Sequence, residues 1–400
     1  MFDLVILNAR TRKSNGDKVS IGISGGKITA IGKDLTPGNA QVIDAKGGLV
    51  SESFVNGHLH LCKVYTLEMA GQGALGEYHT GGMGGAMTAI ERAADFKAKY
   101  DESWILPNVR KACDLAVKYG NTHIRAFADV DSKARLEGVN ALLKAREEYK
   151  DKVELQVVAF PQDGVAREPG TRELMAQAMA LGCDVAGGIP WIEFSRADEQ
   201  DHIDLAFDLA VQYNKDVSML LDDVGDPDER TLEMAMLKVL EKGWQGRFTA
   251  QHCRAMCLYN ENYFRKIVAL ALKSGTGFVT DPHTGPLHLR VKDLLAAGVP
   301  VALGQDDIAD AYYPFGKCNM QQIAFLASHL LWMTTFADME LLWDMITTSA
   351  AKVLNMKGHV LEVGGNADLV VLHASNVYHA IWEHAAPAYV IKNGKVISES

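Results

Sequence analysis

Short apolar runs recur through the middle of the chain at 122–130, 153–161, 184–190, 216–223, 248–253, 277–281 and 299–306. One more, Leu49–Asn56, precedes Gly57-His58-Leu59-His60. Runs of this length between turn residues read as strands. Between them, Trp104–Tyr119, Ser132–Tyr149 and Leu232–Lys242 carry helical patterns. Eight strands alternating with helices over about 300 residues predict an α/β fold, a (β/α)8 TIM barrel. A doubly wound open sheet is the alternative, but no glycine-rich phosphate loop follows the first strand.

The two ends have a different texture. Leu4–Leu7 and Lys27–Ile31 are short β-type runs, with Ser24-Gly25-Gly26-Lys27 as a turn. Ala367–Leu372 and Ala388–Ile391 match them, followed by Asn393-Gly394 as a hairpin turn. Neither end can bury two sheet faces alone, so both are expected to join in one small β-sandwich domain. The expected division is 1–56 for its first part, 57–356 for the barrel and 357–400 for its second part.

Composition narrows the class. The chain is 48% hydrophobic and 22% charged, ordinary for a globular protein. No apolar run reaches the roughly 18 residues needed to span a bilayer. Met1–Leu7 lacks a basic region and reads as a strand, not a signal peptide. A net charge of −10 argues against nucleic acid or an anionic membrane as partner. Six scattered cysteines make no disulfide framework and suit the reducing cytoplasm. Gly81–Gly85 reads as a flexible loop, and it lacks the Lys and Ser/Thr of a phosphate cradle. The apolar segment Ile323–Met333 suits a core helix or a subunit interface, and a homo-oligomer is expected.

The chemistry starts from His58 and His60. Residues two apart on a strand share a face, so two imidazoles at one strand end can bind one metal ion together. In a barrel the active site lies at the carboxyl ends of the strands. Those ends carry Gln162 and Asp163, Asp222 and Asp223, His252, Asp281 and His283, and Asp306 and Asp307. A purely structural barrel has no need of such a ring. A metal held by imidazoles and a carboxylate lowers the pKa of bound water. An acidic residue beside that water can then carry its proton to a leaving nitrogen. Gln162, which both donates and accepts, suits the amide- or amidine-like edge of a heterocycle.

These residues, in Gly57-His58-Leu59-His60, Val158-Ala159-Phe160-Pro161-Gln162, Gly187-Gly188-Ile189-Pro190, Thr249-Ala250-Gln251-His252 and Gly304-Gln305-Asp306-Asp307 through Tyr313-Pro314-Phe315-Gly316, carry a resemblance. The chain resembles the cytosine deaminase branch of the amidohydrolase superfamily and is similar to the N-isopropylammelide amidohydrolases, over nearly its whole length. The resemblance implies roles. His58 and His60 match the first two metal ligands. Asp306 matches the eighth-strand carboxylate that binds metal and takes the proton of the attacking water. His252 matches the sixth-strand imidazole that polarises the substrate. Gln162 matches the glutamine that reads the ring, Lys63 a lysine of the ammelide enzymes, and Tyr312 an aromatic substrate contact. Trp191 and Glu193 fall where they can line the pocket.

The departures are specific. The family's fifth-strand metal histidine is Leu220 here, its second-strand histidine is Phe127, and the aspartate after the histidine pair is Cys62. The metal set becomes His58, His60 and Asp306, with His252 or Asp222 as a fourth ligand. The proton shuttle can be Asp222 or Asp223. Asp307 is expected to be structural, Cys62 and Cys253 to face the packing layer, and His283 and His288 to be loop or surface groups. The expected cofactor is one divalent metal per chain, zinc or iron, with manganese also suited. The expected function is C–N hydrolysis in a nitrogen heterocycle, foremost cytosine-like deamination. Cyclic amide or N-alkylamine hydrolysis on the same site is the second reading. A metal-free barrel that binds a small ligand without turnover is the third.

Overall fold

In the computed structural model, which describes residues 1–14, 16–70, 75 and 96–400, the chain opens with a sheet of order β3-β2-β1-β4. Its strands are β1 (Leu4–Ala9), β2 (Val19–Ser24), β3 (Lys27–Gly32) and β4 (Gln41–Asp44). Gly81–Gly85 lies outside the described residues. β5 (Val50–Glu52) leaves this sheet and pairs with a strand from the other end of the chain, β14 (Leu369–Val371). β15 (Tyr389–Lys392) and β16 (Lys395–Glu399) complete that second sheet. Leu4, Ile6, Ile21, Ile23, Ile28 and Ile43 from one sheet bury against Val50, Leu369, Val371 and Ile391 from the other. This shared core is why neither end needs to fold alone.

Eight parallel strands lie between the two ends. They are β6 (Phe54–Leu59), β7 (Asn121–Asp129), β8 (Glu154–Phe160), β9 (Val185–Gly188), β10 (Asp216–Leu221), β11 (Phe248–His252), β12 (Gly277–Thr280) and β13 (Val301–Leu303). Each pairs with the next in sequence. The sheet closes where β6 meets the end of β13. Leu59 bridges Asp306 in parallel. The His60 N–H donates to the Asp306 carbonyl at 2.8 Å, and the Gln305 and Asp306 N–H groups donate to the His58 carbonyl at 3.0 and 2.9 Å. Two glycines make this approach feasible. A Cβ on Gly57 would meet the Leu303 carbonyl at 3.0 Å, and one on Gly304 would meet Asp281 Oδ1 at 2.1 Å and His58 Cβ at 2.6 Å.

Helices cover the barrel through their apolar faces. Asp101 caps Glu102–Lys118 by accepting from the Ser103 N–H, and Ile105, Val109, Ala112 and Ala116 face inward at helical spacing. The helix expected from Ser132 starts at Glu137 instead. The Asp131 carboxylate accepts from Lys133 and Ala134 N–H groups at 2.9 and 2.8 Å, and Arg135 takes φ 53°. These hold a turn where the first helical turn was expected. Helix Met320–Leu330 buries Met320, Ile323, Ala324 and Ala327, so most of Ile323–Met333 is core.

A buried polar network joins the amino-terminal mouth of the barrel to the β-sandwich. Lys392 Nζ donates to His123 Nε2 and to Asp368, both at 2.9 Å, and His359 Nε2 donates to the Ser53 carbonyl at 2.9 Å. Among the described residues no helix is long and apolar enough to cross a membrane.

Candidate active site

The side chains at the carboxyl end of the barrel are aimed by irregular backbone. Asp222, His252, Cys253 and Asp306 all take positive φ, at 43°, 62°, 46° and 64°. For a non-glycine residue this costs on the order of 1 kcal/mol each, and it breaks strand alternation where it occurs. Gln251 consequently joins the barrel interior beside His252, and Cys253 falls into the packing layer.

Donor atoms gather on Asp306: those of His58 and His252 form one group with it, and that of His60 forms a second with it and Asp307. Asp306 Oδ1 lies 3.2 Å from His58 Nε2, 3.7 Å from His60 Nε2 and 3.8 Å from His252 Nε2. The two nitrogens of His58 and His252 are 3.5 Å apart. Gln251 fixes what these atoms present. Its amide donates to Ser218 Oγ at 2.9 Å, so its carbonyl oxygen accepts from His58 Nδ1 at 3.1 Å. With Nδ1 so engaged, Nε2 is the His58 nitrogen that faces the Asp306 carboxylate. Burial pushes the His60 imidazole well below its usual pKa and that of His252 to about 3, so both are neutral near pH 7. Tetrahedral ligands about 2.0–2.1 Å from one ion are separated by roughly the distances seen here. The donor set fits a divalent metal, and the Gln251–His58 bond is the kind of outer contact that orients a ligating imidazole.

A cleft opens beside this cluster, lined among others by Lys63, Gln162, Trp191, Leu220, Asp223 and Arg254. Lys63 Nζ donates to Gln162 Oε1 at 3.2 Å and lies 4.3 Å from the centre of the Tyr312 ring. Burial pulls the Lys63 ammonium toward neutrality, but Asp129, Asp307 and Asp310 outweigh it and hold the charge. Burial, with Asp306 and Asp310 nearby, pushes the Asp307 carboxyl well above its usual range. Among the described residues, buried Trp191 Nε1 has no hydrogen-bond partner and is a donor available to a ligand. The opposite wall is apolar: Phe127, Phe160, Ile189, Trp191 and Leu220 form one buried cluster. The Phe127 ring packs 4.2 Å from that of His58.

His58, His60, His252, Asp306, Asp223, Gln162, Lys63, Tyr312 and Trp191 thus come together. Asp222 does not. Thr231 Oγ1 donates to its carboxylate at 2.7 Å, the Leu232 N–H at 3.0 Å, and Tyr259 OH donates to the other oxygen. Its positive φ turns it onto the following helix and leaves Asp223 to the cleft. Glu193 also faces elsewhere, holding His202 Nδ1 at 2.6 Å and the Val165 N–H. His283 Nε2 donates to the Gln305 carbonyl at 3.1 Å. Sequence reasoning missed Arg254, whose Nη1 donates to Asp223 at 2.7 Å and whose Nη2 donates to Thr284 at 2.8 Å. It missed Gln251 as the partner of His58. The signal for Arg254 was its place two residues after a strand-end histidine; Gln251 gave none, because alternation puts it on the wrong face.

Comparison with known proteins identifies the family. The model of the amidohydrolase family matches residues 41–398. N-isopropylammelide isopropyl amidohydrolase of Pseudomonas sp. (strain ADP) is 33% identical, over 99% of this chain and 97% of that protein. The structure of 5-methylcytosine deaminase from Klebsiella pneumoniae liganded with 5-fluorocytosine superposes with a TM-score of 0.90 at 30% identity, covering 99% and 97% of the two chains. That of N-isopropylammelide isopropylaminohydrolase from Burkholderia multivorans ATCC 17616 gives 0.85 at 26% identity, covering 100% and 99%. With a (β/α)8 barrel, a histidine pair on β6, an aspartate closing β13 and relatives of this kind along its full length, the chain belongs to the amidohydrolase family and is an enzyme that hydrolyses carbon–nitrogen bonds other than peptide bonds.

Proposed function

We propose that this amidohydrolase is a metal-dependent aminohydrolase that removes an amino group from a pyrimidine- or triazine-like ring. The observation that carries the reading is the convergence of three imidazole nitrogens on Asp306 Oδ1 at 3.2–3.8 Å beside the Lys63–Gln162 pair. His58, His60, His252 and Asp306 would hold the metal, with zinc, iron and manganese all suited to such ligands. A bound divalent ion would supply a water acidic enough to attack at neutral pH. Asp306 accepts the proton of that water. The Asp223 carboxylate, ion-paired to Arg254, would take up that proton from Asp306 and pass it to the leaving nitrogen. His252 faces the attacked carbon and stabilises the tetrahedral centre. Gln162 and Lys63 read the polar edge of the ring, while Tyr312 and Trp191 bound its faces.

The apolar wall of Leu220, Ile189 and Trp191 favours a second reading on the same site, expulsion of an alkylamine or opening of a cyclic amide. An alkyl group would pack on that wall. A panel of aminopyrimidines, amino- and alkylaminotriazines and cyclic amides, scored for ammonia, amine and ring-opened acid, separates the two. Elemental analysis of the purified protein after growth with zinc, iron and manganese tests metal dependence. A chain without metal and without turnover on the whole panel would hand the field to a non-catalytic binding barrel.

Six unpaired cysteines, five of them buried, support a reducing cytoplasmic setting. Exposed Trp332, Phe336 and Trp382 support the expected homo-oligomer. Light scattering that returns 43.6 kDa would refute it.

A further inference from the structure

The seam between the barrel and the β-sandwich holds another gathering of donor atoms, at the opposite end of the strands from the cleft. His123 lies near the start of β7, His359 on the segment before β14, and Asp368 directly ahead of β14. All three are buried, and one donor atom of each lies within 4.8 Å of one from each of the others. Separate parts of the chain thus deliver two imidazoles and a carboxylate to one point. Such a set suits divalent transition ions.

Hydrogen bonds fix what each group presents. The Ser53 carbonyl can only accept, so the His359 bond to it, at 2.9 Å, uses the Nε2 proton. Burial lowers the His359 pKa to about 3, so the ring is neutral near pH 7 and Nδ1 keeps its lone pair. That nitrogen is buried and has no hydrogen-bond partner among the described residues. His123 Nδ1 is engaged with Thr122 Oγ1 at 2.8 Å, and its Nε2 accepts from Lys392 Nζ at 2.9 Å. Asp368 Oδ1 accepts from the Asn393 N–H at 2.7 Å. Its Oδ2 accepts from Lys392 at 2.9 Å and lies 3.7 Å from His123 Nε2.

Lys392 is therefore the cation of this cluster as it stands. Its ammonium serves His123 and Asp368 but leaves His359 Nδ1 without a partner, which is unfavourable for a buried polar atom. A divalent ion in its place can bond all three groups. The Glu154 carboxylate, exposed at the rim and 3.3 Å from His123 Nε2, can complete a fourfold set and balance the added charge.

We propose that His123, His359 and Asp368 form a second, structural site for a divalent transition ion, which enters by displacing the Lys392 ammonium and pins the β-sandwich to the barrel. The site shares no residue with the cleft, so it stands or falls independently of the hydrolytic reading.

Zinc is the probe, used on the full-length chain. The double variant His60→Gln, Asp306→Asn removes two of the proposed cleft ligands, so zinc retained in it reports the seam. The expected result is about one zinc per chain in that variant, lost when His359→Gln is added. Lys392→Met removes the competing ammonium and should bind zinc more tightly than wild type in chelator competition, with His359→Gln undoing the gain. Anomalous diffraction at the zinc edge, from wild-type crystals grown with zinc, guards against variants that fail to fold. A peak among His123, His359 and Asp368 is expected. Zinc found only in the cleft, or a zinc content that His359→Gln leaves unchanged, overturns the second site and leaves the cleft reading intact. Zinc at neither place overturns both.

Discussion

Asp222 and Asp223 are adjacent and both buried, yet their fates differ by one dihedral angle. At φ 43° Asp222 turns onto Thr231 and Leu232, and Asp223 takes the cleft. Their substitutions should separate cleanly. Asp223→Asn should lower kcat by about 10²–10⁴-fold with metal content and melting temperature unchanged, the loss expected for a general acid–base group. Asp222→Ala should do the reverse. It strands buried donors of Thr231, Leu232 and Tyr259, and it should cost roughly 1–3 kcal/mol or more in denaturant titration while the folded fraction keeps its kcat. If Asp222→Ala instead stops turnover in a stable protein, the assignment of the two residues is reversed. This pair also marks what the sequence makes legible at this scale. His58 and His60 could be paired from alternation alone, because none of His58, Leu59 and His60 takes a positive φ. Asp222 could not be told from Asp223, nor Gln251 placed beside His58, because left-handed residues at 222 and 252 undo the alternation on which such placement depends.

Elements were easier to foresee than their ends. The barrel strands announced themselves as apolar runs because both sheet faces are covered; seven of the eight lie within or one residue from their expected ranges, while β6 runs three residues past Asn56. Helix Glu137–Tyr149 shows the opposite case: a side chain, Asp131, competes for the backbone donors that the first turn would have used. The network between β7, β15 and the segment before β14 was not legible, since lone histidines give no pattern. It makes a definite prediction. Burial, aided by His123, lowers the His359 pKa to about 3, against about 6.5 in an unfolded chain. Between these values the unfolded state binds the extra proton. Stability from this group is therefore complete above about pH 6.5 and is lost as the pH falls, by about 1.4 kcal/mol per unit. Urea titrations at pH 7 and pH 5 should show that decline, and His359→Gln should flatten it. An unchanged slope in the variant would place the acid sensitivity elsewhere.

For the molecule as a whole, the closure of the barrel and the candidate metal site are one piece of structure. The amides of His60, Gln305 and Asp306 close the sheet, and the side chains of His58, His60 and Asp306 gather at the same point. Stripping the metal should therefore raise hydrogen exchange at these three amides above that of the β7–β8 pairing. Equal protection with and without metal would show that the closure stands on its own hydrogen bonds. The two halves of this junction are far apart along the chain: the Gln305 N–H donates at 3.0 Å to Asn56, 249 positions earlier. Closing so long a loop is among the slower steps open to a folding chain. During synthesis the histidine pair emerges long before its aspartate exists. A nascent chain that ends before His252 holds two histidines on an open edge and neither of the other two proposed ligands. On the proposed metal reading, loading becomes a test that only a polypeptide extending past Asp306 passes, and a ribosome that stops short of that residue releases a product lacking the carboxylate that completes the site.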